Sequence, residues 1–407
     1  MSTAERLEGT GREPGGSASP RPWPLARASS DSPPAVVLGG SDLIRALGLA
    51  GIRSAVVAPP GKAFAYSRFV CDRLEWVDPW AEPGRLLDVL LAFASRFDQP
   101  PPLMFQTDAD LAFVSRHRAA LGEGFRFALG DEWLVGQVLD KTQFTELAAA
   151  LDLPVPRTFV LRPQPEGAPP EVELDYPLIL KPFTRIDSVW RPLAGGSKAL
   201  RLDSEAELRD LWPVLGAMDT EFVAQEMVCG GEDRIESYHV YVDSDGEVAG
   251  EFTGRKLRTL PSEFGQTTAL TITDADDVYE LGRHCMATLG LRGVAKVDFK
   301  RTDDGELVLL EVNPRFNLWH LPGAVAGVNL PALVYADLMG LERPAAGRAR
   351  AGVRWTVPWD DLRAARSQRV PPARWLAWQL GCETRHLVGL DDPMPILRGV
   401  ARRLLRR

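Results

Sequence analysis

The stretch VAKVDFKRTDDGELVLLEVNPRFN, residues 294–317, decides how this chain is read. Two apolar runs, 294–299 and 307–312, flank Thr302-Asp303-Asp304-Gly305. Alternating side chains with Asp-Gly at the tip read as a β-hairpin. Asp298 sits on the first strand. Glu311 and Asn313, two apart at the end of the second, share one face of the sheet. The hairpin folds Glu311 back towards Asp298, so two carboxylates and one amide converge. A small set of hard oxygen donors suits Mg²⁺, which keeps waters and takes remaining ligands from phosphates. The plainer alternative is a solvated strand face with ordinary charges. Against it, the strand core is otherwise Val and Leu, and the acids interrupt it at its end.

The 407 residues allow roughly two to three domains. A hydrophobic share of 45% with 25% charged residues describes a globular chain. The net charge of −8 argues against a general nucleic-acid binder. Four cysteines lie far apart in no metal spacing, which makes a reduced, cytoplasmic compartment the default expectation. No apolar run approaches the ~18 residues of a membrane span, and the N-terminus has no apolar core of a signal peptide.

Residues 1–33, rich in Gly, Pro, Ser and Arg, are expected to be a disordered tail. Strands at 35–38, 54–58 and 102–106, with helices at 42–50 and 86–97, build a doubly wound α/β domain over 34–130. The Gly39-Gly40-Ser41 turn is either a phosphate loop or a tight connection. Asp108 and Asp110, after the strand at 102–106, either face a cleft or cap the next helix from Thr107. Residues 131–152 read as one helix. Residues 131–342 then form an α+β nucleotide-binding body, with strands at 157–161, 178–182, 198–202, 222–226, 237–242 and 248–253. Helices at 204–215 and 276–289 complete it, the first opening on a Ser204/Glu207 capping box.

Lys141 lies on the helix that opens this body. Lys181 ends the apolar strand Leu178-Ile179-Leu180, where a lone lysine is costly to bury and needs an anion. In Gly195-Gly196-Ser197, glycines allow backbone N–H groups to approach phosphate and the hydroxyl adds a donor. The strand 222–226 stops before Gly230-Gly231-Glu232-Asp233. Its edge can pair with adenine, and an acid beyond it can accept ribose hydroxyls. Each element alone has an ordinary structural explanation; their order along one chain, ending in the hairpin, raises the joint case.

That order resembles the ATP-grasp superfamily, and within it the carboxylate–amine ligase branch, over residues 35–341. The resemblance implies an ATP-grasp fold behind an N-terminal doubly wound α/β domain. It assigns Lys141 and Lys181, with the Gly195, Gly196 and Ser197 lid, to ATP phosphates. Glu226 and Val228 fall at the adenine hinge. Glu232 is the ribose acid, with Asp233 its rival. Asp298, Glu311 and Asn313 map onto the metal triad for Mg²⁺, as two ions, with Mn²⁺ a substitute. Arg315, in Asn313-Pro314-Arg315-Phe316, would face the transferred phosphoryl or a substrate carboxylate. Arg255 and Lys256 are candidates for phosphate contact, and Lys296 shares the face of Asp298. One departure lies between Lys181 and Gly195, where Arg185, Asp187, Trp190 and Arg191 replace a short polar link and could tune the acceptor site.

The chemistry so implied is ATP-dependent joining of a small carboxylate to an amine through an acyl phosphate, releasing ADP and phosphate, with amino acids as first substrates. It needs charge neutralisation more than a protein nucleophile. The competing expectations are a non-catalytic ATP-binding scaffold or sensor, and phosphoryl transfer to another acceptor. His320, Asn317 and Trp319 could touch substrate, whereas His239 reads as a core residue. Residues 343–407 read as a basic, mostly helical extension, with fourteen arginines against five acids. Its last helix either lies on an anionic membrane or packs on the body.

Overall fold

A computed structural model describes residues 32–182, 187–197, 199–387, 389 and 391–404. Nearly all of the expected tail, and Arg185, lie outside the described residues. The N-terminal sheet runs β1 (Ala35–Leu38), β2 (Ser54–Val57), β3 (Val70–Leu74) and β4 (Leu103–Phe105), all parallel in the order β3-β2-β1-β4. Its inner strands are buried throughout and almost wholly apolar because both faces are covered. The helix Ser41–Leu49 packs on one face and Pro83–Ala94 on the other. β3 escaped the sequence reading: Val-Cys-Asp-Arg-Leu is an edge strand exposed on alternate positions, with two adjacent charges and no apolar run.

A second, antiparallel sheet holds β5 (Thr158–Leu161), β6 (Leu178–Pro182), β7 (Leu200–Leu202) and β8 (Phe222–Glu226), ordered β5-β8-β6-β7. The helices Asp187–Leu193 and Glu205–Gly216 cover it with Trp190 and Trp212, against Leu178, Leu180 and Phe222. Ser204 Oγ accepts the Glu207 N–H at 3.3 Å, while the Glu207 carboxylate accepts the Asp203 N–H at 2.8 Å, one residue outside the expected reciprocal bond.

The third sheet has seven strands: β9 (Ile235–Val242), β10 (Val248–Leu260), β11 (Gln266–Thr273), β12 (Gly293–Arg301), β13 (Leu307–Asn313), β14 (Arg354–Thr356) and β15 (Thr384–Arg385), ordered β13-β12-β9-β10-β11-β14-β15. The helix Asp276–Leu289 covers one face, meeting Tyr238, Val240, Ala295 and Val297. The opposite face meets His320–Ala326, Leu330–Met339 and the N-terminal helix Ser41–Leu49 in a shared core that includes Leu43, Phe252, Trp319, Leu333 and Trp355. Gly254 permits this: a Cβ there would stand 2.5 Å from the Trp319 ring.

Two expectations need correction. The helix at 131–152 is two, Glu132–Leu139 and Lys141–Ala150, because Asp140 leaves helical geometry and its carboxylate accepts the Gln143 N–H at 3.0 Å, starting a new helix. A boundary at 342 would cut the third sheet, since β14 and β15 extend it and Val353 and Trp355 are fully buried. The segment after 342 is therefore part of the body. The C-terminal helix Met394–Leu404 packs on the N-terminal domain: Arg398 lies over the Tyr66 ring at 4.7 Å, and Asp392, just before it, accepts from Ser67 Oγ and the Arg68 N–H. Among the described residues no single helix is long and apolar enough to cross a membrane. The apolar pair His320–Ala326 and Leu330–Met339 is bent by 91° and lies in the core.

Candidate active site

The hairpin forms as read, closed by Gly305 at φ +92°, where an L side chain would be strained. Asp298 stands directly across from Glu311, and Lys296 from Asn313, before a bulge that follows Asp298. These residues, with Lys256, Ser237 and Lys300, occupy one face of the sheet. Asp298 is 1% exposed. Its carboxylate accepts from Ser237 Oγ, from Lys296 Nζ at 2.5 Å and from Lys256 Nζ at 3.4 Å. Burial pushes its pKa up, but the two lysines overcome this and hold it well below the usual carboxylate range. Lys256 is pulled down by burial yet ends raised, through Asp298, Glu311 and Glu232. Burial lowers Lys296 and Lys300. A buried charge cluster is a weak source of stability compared with apolar packing, so its place on a cleft-facing strand has a chemical explanation.

Glu311 is the exposed member and lines three adjoining cavities. One is shared with Lys141, Lys181, Asp108 and Asn313. A second holds Lys181, Val228, Glu232, Lys256, Lys300 and Asp298. The third, about 680 Å³, runs past Lys296, Asn313, Arg315 and Trp319. The two lysines thus come from different elements to one cleft. Lys181 Nζ donates to Gln225 Oε1 at 3.4 Å, and burial, then repulsion from Lys141, lowers it to about 8 against the pull of Glu311 and Glu232. The donor set fits Mg²⁺: oxygens only, from Asp298, Glu311 and Asn313. Among the described residues no three His, Cys, Asp or Glu side chains gather to hold a metal ion by themselves.

At the strand end, the Glu226 N–H bonds to Arg157 O and the Met227 N–H to Pro177 O, both at 3.0 Å, while Val228 lines the second cavity. The Glu226 side chain also borders it, but its carboxylate is held by Arg157 and the Asp175 N–H. Glu232 faces the cavity and Asp233 does not. Gly195 and Gly196 have φ of +59° and +87° and end the helix Asp187–Leu193, with the Gly196 N–H on Arg191 O at 2.7 Å. Ser197 Oγ donates to Glu263 O at 3.3 Å, reaching the β10–β11 turn across the cleft. Trp190 lies in the core of the small sheet, 2% exposed and 5.7 Å from Phe222, away from any acceptor site.

Arg255 departs from expectation. It lies on the opposite face from Lys256, donates to Glu236 and borders none of the three cavities. Strand parity separates the neighbours: only one of them can face the cleft, and it is Lys256. Arg315 lines the large cavity and is fixed by Asp108 Oδ1 at 2.5 Å, Asn313 Oδ1 at 3.1 Å and Gln106 O at 3.1 Å. The two acids after Thr107 therefore divide: Asp110 completes the capping box and Asp108 holds Arg315. Gln106 Oε1 accepts the Gly40 N–H at 2.6 Å, so the Gly39-Gly40 turn serves as a tight connection. His320 is fully buried against Phe316, outside the large cavity that Asn317 and Trp319 line. His239 is a core residue stacked on Phe252.

Sequence reasoning missed Lys300, Ser237 and the cavity residues Trp355, Arg363 and His386. Lys300 was accessible, since Lys296, Asp298 and Lys300 alternate on one strand. The others depend on pairings with no sequence spacing. Lys181 gives a direct test of the cleft. Lys181→Ala should weaken ATP binding by roughly 10-fold, about 1.4 kcal/mol, and less at high salt if solvent screens the contact. The free protein's ATP affinity should fall as pH rises through about 8, where Lys181 loses its proton, and the variant should lose that inflection. Isothermal titration across pH checks both; an unchanged affinity and profile in the variant would remove Lys181 from the nucleotide site.

The segment 249–358 matches a family model described as ATP-grasp in the biosynthetic pathway with Ter operon. D-aspartate ligase of Enterococcus faecium is 25% identical over 241 residues, 56% of each chain. D-alanine–D-alanine ligase of Pseudomonas fluorescens is 23% identical over 218 residues, 49% of this chain and 62% of its own. The chain thus matches little more than half the length of these curated relatives. In fold it is similar to the L-amino acid ligase of Bacillus licheniformis, with a TM-score of 0.60, 14% identity and 80% of each chain covered. It is also similar to the ATP complex of carboxyaminoimidazole ribonucleotide synthase from Aspergillus clavatus, with a TM-score of 0.59, 15% identity, and coverage of 84% and 87%. The three sheets and the ordered lysines and acids of the cleft give the chain an ATP-grasp fold, and over part of its length it is similar to ligases that use amino acids.

Proposed function

We propose that this chain is an ATP-dependent ligase that joins a small carboxylate to an amine through an acyl phosphate, releasing ADP and phosphate. The observation that carries this reading is Glu311. It lies where a lysine-lined cleft, a cavity bordered by Val228 and Glu232, and the large cavity of Arg315 and Trp319 meet. Nucleotide, phosphoryl group and carboxylate would converge there. The names of the relatives, aspartate, alanine and amino-acid ligases, support amino acids as substrates.

In this reading the backbone at Glu226 to Val228 takes adenine and Glu232 takes ribose. Lys141, Lys181 and Lys256 neutralise phosphate oxygens, and Lys296 and Arg315 orient the carboxylate. Mg²⁺ held by Asp298, Glu311 and Asn313 would supply charge neutralisation at the transferred phosphoryl. Gly195, Gly196 and Ser197 form the lid that keeps water from the acyl phosphate.

The test is product analysis over a grid of L- and D-amino acids with ATP and Mg²⁺. ADP and phosphate are expected, and hydroxylamine should intercept the activated acid as a hydroxamate. AMP as the product would overturn the mechanism. Tight ATP binding with no turnover on any acid–amine pair would favour a scaffold or sensor.

A further inference from the structure

The large cavity is bounded on its far side by the segment after residue 342. Trp355, Asp360, Arg363 and His386 from that segment share it with Glu311 and Arg315. His386 is built in from across the fold. Its Nδ1 lies 2.5 Å from Oδ2 of Asp42, a residue 1% exposed at the start of the helix Ser41–Leu49. The other Asp42 oxygen accepts Trp355 Nε1–H at 2.8 Å. Both carboxylate oxygens are thus committed, and the ring is held in one orientation with Nδ1 as the hydrogen-bonded nitrogen. Nε2 is left for whatever occupies the cavity. A buried carboxylate that orients an imidazole in this way also makes it a better base. Nearby, Asn317 is 6% exposed, lines the same cavity and has an Nδ2 with no partner among the described residues.

We propose that His386, positioned by Asp42, is the proton acceptor for the amine substrate, and that the segment carrying it forms the subsite for an α-ammonium compound. This rests on the ligase reading. An amino acid arrives as an ammonium, which has no lone pair to attack with. One N–H proton passes to Nε2. The freed pair forms the C–N bond, the bond from the acyl carbon to the phosphate oxygen breaks, phosphate leaves with those electrons, and the second N–H proton goes to the departing phosphate to leave the neutral amide. The imidazolium then returns its proton to solvent. Asp42 and Asp360 favour the charged imidazole; burial and Arg45 oppose it; the net effect raises its pKa above that of an ordinary histidine. Arg363 faces the same cavity, and Arg385 adjoins the ring in sequence.

The experiment compares full-length parent and His386→Gln with ATP, Mg²⁺ and a pool of L- and D-amino acids. Hydroxylamine, uncharged at neutral pH, attacks without first losing a proton, its one released proton leaving with the phosphate, and so reports acid activation alone. The expected result is a loss of about 100-fold or more in peptide formation, with hydroxamate formation retained. Peptide formation by the parent should rise with pH to a plateau, with an inflection above the ordinary histidine pKa, and Asp42→Asn should move that inflection down. Equal loss of both products, or undiminished peptide formation, would overturn the role of His386. A parent that makes no hydroxamate from any acid in the pool would instead remove the ligase reading beneath it.

Discussion

Glu311→Gln should lose at least ~1,000-fold in turnover, about 4 kcal/mol of transition-state stabilisation, while its melting curve stays that of the parent. Two features separate these outcomes. The side chain is exposed, so an isosteric change there should move folding stability by no more than about 0.5 kcal/mol. Its charge, however, is shared by every part of the cleft. It favours the protonated forms of Lys181, Lys256 and Lys296, and it stands across the hairpin from Asp298. Neutralising it would weaken the cations that meet phosphate and halve the carboxylate set proposed for Mg²⁺. Steady-state phosphate release beside a thermal melt measures both. A variant that turns over like the parent would show that the hairpin acids are not the reaction centre.

Asp361→Ala should destabilise the protein by about 3–5 kcal/mol, the usual range for breaking a buried pair by removing one partner. Asp361 is fully buried. It takes a two-pronged contact from Arg258 at 2.7 and 2.8 Å and accepts from Thr268 Oγ1, Trp375 Nε1 and Gln379 Nε2 at 2.9–3.0 Å. The carboxylate thereby ties β10 and β11 to the helices Pro358–Ser367 and Pro372–Leu380. Removal leaves the guanidinium unpaired and takes an acceptor from three further donors, Thr268, Trp375 and Gln379. Replacing Arg258 and Asp361 together by Met and Leu should recover much of the loss, because the unpaired charge goes too. Urea unfolding of the two variants reads this directly. A single variant as stable as the parent would mean that the segment after 342 is not an integral part of the body.

The hairpin was legible because three signals agree there: period-two alternation, an Asp-Gly turn, and polar residues confined to one strand end. Residue parity on β12 and β13 then put Asp298, Glu311 and Asn313 on one face. Parity failed to sort Arg255 from Lys256, since it separates neighbours without saying which faces the cleft; Glu236 across the strand settles that. The break at Asp140 was hidden because apolar residues keep helical spacing through it. β14 and β15 are three and two residues long, too short to carry a pattern. Asp42 and His386 are 344 positions apart, and no local signal joins them. What the chain declares locally is the hairpin with its acids; what it hides is the far wall of the large cavity, assembled by long-range packing.

The most direct test of the proposed chemistry follows oxygen. With an amino acid labelled with ¹⁸O in its carboxylate, turnover should place one labelled atom in each inorganic phosphate released, because the carboxylate oxygen that attacks the γ-phosphorus leaves with it. Label in AMP, or phosphate carrying none from the acid, would contradict an acyl-phosphate ligase.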